Sequence, residues 1–553
     1  MKFNREDMSE SKWFGFLQKY WLYIVVVIAV IIVAVSSINI YREEVLEIDP
    51  DVKMEEQNTL SFASAYIDTL NPIVSKSEDT YYISKLIYNS LFDYTADLNV
   101  EGELVESYTV DTEKAYVDIS LRSAVTFHNG DALTARDISF TVNAIKSYGS
   151  EGLYYEKASK IDSVNVKDDR NVRIYFSDNY DCSLDALTFP ILPRGEYSSA
   201  GALLKDTDEF VPVGTGMYKY SSYDSLKELD LSPNESYFAD KAQKSVSIKI
   251  LPEKTMASNM LEIGSVTCYT DIGSDRKSLV EDKGLTMYDM ISNQVDFMVF
   301  NTQSPLFTSK EVRKGICYAI DENQVLSEGY MDDGVLADTI YYPGFLGVAD
   351  SNTNYAFDRD KAIEILAEEG YEDTDLNGKI EDAEGNDVTV SLLVNSDNAN
   401  RIAAARIIEK NLERAGFSVE IRAVEWDEYN KLIEEKDFDI LLTGYEMEGS
   451  YDLRSFFDGA NTWGYENQEI LEKVRELDRL HTSEEYTSIY AEIKDMLADE
   501  AQYYTLCYKK MGLIGVDTFE AKELPVFNDI FKNCNTWTWK KKITDDDESK
   551  KNS

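Results

Sequence analysis

Two histidines and five cysteines in 553 residues leave little material for soft-metal chemistry. Cys182, Cys268, Cys317, Cys507 and Cys534 are scattered along the chain. No pair has the short spacing of a zinc site, and their odd number excludes a complete disulfide framework. They read as small buried apolar residues. Basic side chains are scarce as well: 55 Lys and Arg face 102 Asp and Glu, a formal net charge of -47. Binding to a phosphate backbone needs clustered cations, so nucleic acid is not an expected partner. Neither Gly-x-Ser-x-Gly nor His-Glu-x-x-His occurs, and nothing in the chain reads as catalytic.

Apolar residues make up 43% of the chain, with 23 Phe and 37 Tyr, enough for large cores. At roughly 150 residues per domain, the length allows two to four domains. Trp21 to Tyr41 carries no charge and is rich in Ile, Val and Ala. About 20 such residues span a bilayer, and a signal-peptide core would be shorter, about 7–15. The run therefore reads as a retained transmembrane helix rather than a cleaved signal. Lys2, Arg5, Lys12 and Lys19 precede it, whereas Glu43, Glu44, Glu47, Asp49 and Asp51 follow. By the positive-inside rule, residues 1–20 are cytoplasmic, 21–41 form the anchor, and the bulk lies outside the cell membrane as a single-pass protein. Residues 42–58 are a charged stalk, and the charged tail 541–553 is expected to be disordered. Ser36-Ser37-Ile38-Asn39 offers no cysteine for lipidation.

The most informative stretch runs from Tyr116 to Ile145. Val117, Ile119 and Leu121 alternate with Tyr116, Asp118 and Ser120, a strand pattern. Asn129-Gly130-Asp131 gives a tight turn. Thr134, three residues before Asp137, caps a helix carrying Ile138, Val142 and Ile145 at helical spacing. His128 reads as a structural turn residue.

The order Leu121-Arg122, Phe127-His128-Asn129-Gly130 and Leu133-Thr134-Ala135-Arg136-Asp137-Ile138 resembles the diagnostic motif of family 5 extracellular solute-binding proteins, the peptide-binding proteins of ABC importers. Leu86-Ile87-Tyr88-Asn89-Ser90-Leu91-Phe92 and Val213-Gly214-Thr215-Gly216-Met217-Tyr218-Lys219 extend the likeness, with Met217 in the usual place of proline. The resemblance implies an α/β, two-lobed periplasmic-binding-protein-like fold of type II, in the large class with an extra subdomain. Lobe 1 is expected over 59–305, lobe 2 over 306–510, and a return to lobe 1 over 511–540. Strands such as Val388–Val394, Val419–Val424 and Phe438–Leu442 alternate with helices at Asp358–Leu366, Arg401–Ala415 and from Glu425, which argues for a largely parallel sheet.

In peptide-binding relatives an acidic residue just after a Gly-Trp-like strand end receives the terminal amine. That region falls on Gly444 to Asp452, so the resemblance nominates Tyr445, Glu448 and Asp452 as ligand contacts, with Asn301 at the crossing between the lobes. Dipeptide binders carry an arginine for the ligand carboxylate near Leu393-Val394-Asn395-Ser396; here none precedes Arg401. A longer peptide is therefore the expected cargo, delivered by a monomer to an ABC permease. A sugar, a metal chelate, an anchored sensor or adhesion role, and an extracellular hydrolase stay open as alternatives.

One segment stands apart. Asp373, Asp375, Asn377, Lys379, Glu381 and Glu384 occupy positions 1, 3, 5, 7, 9 and 12 of an EF-hand-like loop, with Gly378 at position 6 and Lys379 counted through its backbone carbonyl. A structural calcium ion is the expectation this spacing raises. The binding function itself requires no cofactor.

Overall fold

The computed structural model describes residues 58–539, except 178–182, 206–209, 274, 350–354, 448–452 and 454–466. The expected anchor at 21–41, most of the stalk and the charged tail lie outside the described residues. Among the described residues no helix is long and apolar enough to cross a membrane.

The alternating stretch forms the strand Tyr116–Leu121. It lies inside an antiparallel four-stranded sheet in the order Val105–Asp111, Tyr116–Leu121, Asn171–Phe176, Ile161–Val166. A turn at Asn129-Gly130 follows, with Gly130 at φ +95°. The helix Ala135–Tyr148 then begins, where the Thr134 N–H donates to the Asp137 carboxylate at 2.8 Å. A second four-stranded sheet orders Thr59–Ser64, Ser245–Ile250, Glu228–Pro233 and Tyr218–Asp224. Both sheets feed one continuous apolar core that includes Leu60, Leu121, Ile138, Ile174, Leu231 and Ile248.

Three motifs distant in sequence meet beside this core. The His128 Nε2–H donates to the Gly216 carbonyl at 3.0 Å, and Nδ1 accepts from the Gly214 N–H at 3.3 Å. On their other side the two glycines press on the end of the helix Glu78–Ile87, where a Cβ on either would overlap the Ile87 backbone. Glycine is therefore required at both positions by close approach, not by turn geometry. The His128 ring is engaged through both nitrogens, which agrees with its reading as a structural residue.

The third sheet links the halves. Its path is Cys268–Asp271, Tyr503–Gly515, Thr286–Phe300, Ile440–Glu446, Thr389–Asn395 and Ser418–Val424. Only Thr389–Asn395 pairs in parallel, with both its neighbours; the other contacts along this path are antiparallel. The sheet is thus mixed rather than largely parallel, because two of its strands belong to both lobes and run against each other. Thr286–Phe300 starts in the first core with Met290 and ends in the second lobe. There its side chains divide by period two. Phe297 and Val299 face one core with Leu393 and Leu441, while Met298 and Phe300 face another with Leu392, Val394 and Leu442. Helices Trp426–Glu435, Gln468–Arg475 and Ser483–Glu500 cover the first face; Lys310–Ala319, Arg359–Glu368 and Ala399–Arg414 cover the second. Burial on both faces explains why these strands read as unbroken apolar runs.

The crossing between lobes occurs within Thr286–Phe300, where the register shifts between Ile291 and Val295. Cys268, Cys317, Cys507 and Cys534 are buried free thiols, and Cys182 lies outside the described residues.

Burial holds the His128 ring pKa down to about 4, from an ordinary 6.5. The folded state then binds fewer protons than the unfolded state between those values. Stability is fully present above pH 6.5 and is lost as the pH falls toward 4. Urea denaturation at pH 7.5 and pH 4.5 should show wild type losing about 2 kcal/mol more than His128→Asn over that interval.

Candidate functional site in the interlobe cleft

The hinge is built from the two strands that cross. At the register shift Ser292 is fully buried, the Ile291 carbonyl accepts from the Tyr342 hydroxyl at 3.2 Å, and the Asn293 side chain donates to the Met447 carbonyl at 2.9 Å. Immediately beyond lies Asp296, 0% exposed. Its carboxylate accepts from Arg401 Nε at 3.1 Å and Nη2 at 2.7 Å, and from the Tyr330 hydroxyl at 3.0 Å, with Lys509 Nζ at 3.5 Å. The helix Ala399–Arg414 is thereby tied to the crossing strand. Gly444 packs against this pair, where a Cβ would overlap both the guanidinium and the carboxylate. A second buried pair, Arg276 with Asp333, joins the helix Arg276–Lys283 to the segment beside Lys510, through Nη1 to Oδ2 at 2.5 Å and Nη2 to Oδ1.

Between the lobes is a cavity of about 340 Å³. Tyr94, Tyr108 and Asp185 line it from the first lobe, and Phe345, His481, Tyr486 and Tyr490 from the second. The hairpin Phe92–Tyr94/Val100–Gly102 brings Tyr94 into this position and inserts Leu98 into a second-lobe core. Asn99 closes the gap beside it, its side-chain oxygen accepting from the Leu346 N–H at 2.9 Å. On the far wall Phe345 and Tyr490 meet edge-on, ring centroids 5.0 Å apart, and His481 stands edge-on to Tyr486 at 5.2 Å. Such edge-to-face pairs hold aromatic walls rigid without sealing them.

The polar lining includes Asn99, Glu484 and Asp185, the last in the short turn Leu184–Leu187. The Asp185 Oδ1 is buried and has no hydrogen-bond partner. Nearby, Lys157 donates to the Thr188 hydroxyl at 2.6 Å and lies 5.2 Å from the centre of the Tyr94 ring. Burial pulls the Lys157 ammonium down to about 8, and Asp185 offsets part of that effect. An aromatic cavity with one under-satisfied carboxylate is suited to apolar groups carrying an ammonium.

The nominated residues fall in different places. Tyr445 pairs with Val295 just past the hinge and packs partly buried against the second-lobe core; it does not line this cavity. Glu448 and Asp452 lie outside the described residues. The Asn301 side chain donates to the Lys436 and Phe438 carbonyls at 3.0 and 2.8 Å and accepts from the Gln303 N–H, so its polar atoms tie the strand end together. Asp373, Asp375 and Glu381 do come together, whereas Glu384 is exposed in the following turn and the Lys379 ammonium pairs with Asp387 at 3.3 Å. Asp185, Tyr94 and Tyr490 carry no local signal in the sequence, since the cavity exists only where two lobes face each other.

Two α/β lobes joined by paired crossing strands, with an aromatic cavity between them, define a hinged solute-binding protein. The profile of the bacterial extracellular solute-binding proteins, family 5 (middle portion), matches residues 99–465. The chain belongs to that family. It is 25% identical over 496 residues to the oligopeptide-binding protein AppA of Bacillus subtilis, covering 84% of this chain and 89% of AppA. The structure of that AppA in complex with a nonapeptide superposes with a TM-score of 0.52 at 22% identity, over 87% of this chain and 99% of the other. Haemophilus influenzae heme-binding protein A is 23% identical over 466 residues, 77% of this chain and 82% of the relative. The nickel ABC transporter structure from Bacillus halodurans gives a TM-score of 0.71 at 18% identity, over 86% and 99% of the two chains.

Asp296→Ala would leave the Arg401 guanidinium buried without its carboxylate, at a cost of about 3–5 kcal/mol. Denaturant unfolding should record that loss. The double variant Asp296→Ala/Arg401→Met should be more stable than the single one, because no unpaired charge is left inside.

Proposed function

We propose that this chain captures oligopeptides between its two lobes outside the cell and passes them to the permease of an ABC importer, acting as a carrier and not as an enzyme. The observation that carries the reading is the Asp185 carboxylate, with one buried oxygen lacking a partner, in the lining of an aromatic interlobe cavity. A peptide offers such a site an N-terminal ammonium and apolar side chains, and a charge-assisted hydrogen bond to the ammonium compensates the desolvated oxygen. The oligopeptide-binding relative supports the same cargo class.

Arg401 bears on peptide length. Its guanidinium is committed to Asp296, so it is not available as a clamp for a ligand carboxylate. That favours peptides whose C-terminus is left unclamped over strict dipeptides. The uncharged run at 21–41 favours one further reading, an anchored solute sensor on the same fold. Uptake measured in cells lacking the permease separates the two, since a carrier loses its effect there and a sensor does not.

Denaturing the purified protein and identifying what is released by mass spectrometry should yield peptides longer than two residues. Release of a haem or a nickel complex instead would overturn the cargo. Binding should also depend on the free amine. Wild type should prefer a free-amine peptide over its N-acetylated form by about tenfold to a hundredfold, equivalent to about 1.5–3 kcal/mol for a hydrogen bond to a charged group. Asp185→Asn should bind both forms alike by calorimetry.

A further inference from the structure

We propose that the loop between the helix Arg359–Glu368 and the strand Thr389–Asn395 is a calcium site whose carboxylate ligands are Asp373, Asp375 and Glu381, with Glu381 taking the place that EF-hand spacing assigns to Glu384. This proposal is independent of the cargo.

The geometry begins with the backbone. Gly378 sits at φ +89°, with nothing within 4 Å of where a Cβ would stand, so the chain turns sharply there. The Asp373 carboxylate accepts from the Asn377 and Gly378 N–H groups at 3.0 and 2.9 Å. Bridges of Glu381 to Glu372 and to Asp387 fold the following residues back against the loop. One ligating oxygen from each of Asp373, Asp375 and Glu381 then lies within 4.8 Å of the others.

Three carboxylates this close repel one another unless something positive joins them. Among the described residues no lysine or arginine forms an ion pair with any of the three, and the nearby Lys379 is directed to Asp387. Independent of the clustering is the state of Glu381 itself. It is 5% exposed. One carboxylate oxygen accepts from the Thr374 N–H and hydroxyl at 2.7 and 2.9 Å, while the other, Oε1, is buried with no partner. A buried, unpaired carboxylate oxygen is costly, and a cation bound by the Glu381 carboxylate removes that cost.

The donor set selects the ion. All three side chains offer hard oxygen and none offers nitrogen or sulfur, which disfavours zinc and copper. Calcium takes six to eight oxygens in flexible geometry, so backbone carbonyls and water can complete the shell. In an EF-hand a second helix follows the loop and the twelfth residue points back from it. Here a strand follows, Glu384 is exposed in the turn after Asp382, and its N–H donates to the Asp382 carboxylate at 3.0 Å. Buried Glu381 faces the aspartates instead. Because the Ile380 N–H also donates to the Gly416 carbonyl at 2.9 Å, a bound ion would pin this loop to the end of the helix Ala399–Arg414.

The test is calcium titration of chelator-treated protein by isothermal calorimetry, with thermal unfolding in calcium, magnesium and EDTA. We expect one calcium per chain, with a Kd on the order of 10⁻⁴ M or tighter, and a higher Tm in calcium than in magnesium or EDTA. Asp375→Asn, an exposed position that should fold normally, should weaken binding at least tenfold. Glu381→Gln should abolish it, and Glu384→Gln should leave it unchanged. No binding by wild type up to 5 mM calcium (roughly the top of the range for extracellular modules), an equal response to magnesium, or a loss in Glu384→Gln matching that in Glu381→Gln would each overturn the assignment.

Discussion

The carboxylate of Asp296 is the constraint on which the interlobe arrangement depends. It is fully buried in a strand shared by both lobes, one residue past the register shift that makes the hinge. A charge in that position is tolerable only if its desolvation is matched by close hydrogen bonds. Arg401 and Tyr330 provide them, and the Lys509 ammonium adds a cation at 3.5 Å. The need for that match then propagates. It places the helix Ala399–Arg414 and requires glycine at 444. The pairing of the two crossing strands shifts register on both sides of Asp296, between Ile291 and Val295 and between Asp296 and Phe297, so the buried ionic node sits inside the irregular part of the crossing.

The cleft has a different economy. Its walls carry aromatic side chains in edge-on contacts, and its polar lining includes the carboxylates of Asp185 and Glu484. Aromatic walls accept varied apolar side chains, because their attraction is broad and weakly directional. A few charged contacts orient a ligand without demanding a particular sequence. A carrier benefits from that combination, since micromolar binding, about -8 kcal/mol, captures cargo and still permits release. The formal charge of -47 is largely screened in physiological salt at distances beyond about 8 Å.

Much of the fold was legible in the chain. Alternation at Tyr116–Leu121 and the Thr134–Asp137 cap depend on contacts within a few residues, and the structure carries both. The three motifs were legible as a family pattern, but the meeting of two of them around His128 was not, because its partners lie 86 and 88 residues away. The candidate site was less legible still. Asn301 follows the end of the crossing strand, and its amide is engaged by backbone carbonyls that only the neighbouring strand end brings near. Glu381 and Glu384 differ in burial because a strand, and not a second helix, leaves the loop.

By itself, then, the sequence determined the class of chain and the local elements, through periodicity, capping and turn chemistry that act over a few bonds. It also determined membership of a family, through motifs whose spacing survives in the linear order. Only the tertiary structure decided which carboxylates are bare and which are paired. Asp296, Asp185 and Glu381 are the same kind of group in the chain, and what separates them is which distant segments exclude water from each and whether those segments bring a cation or a donor with them.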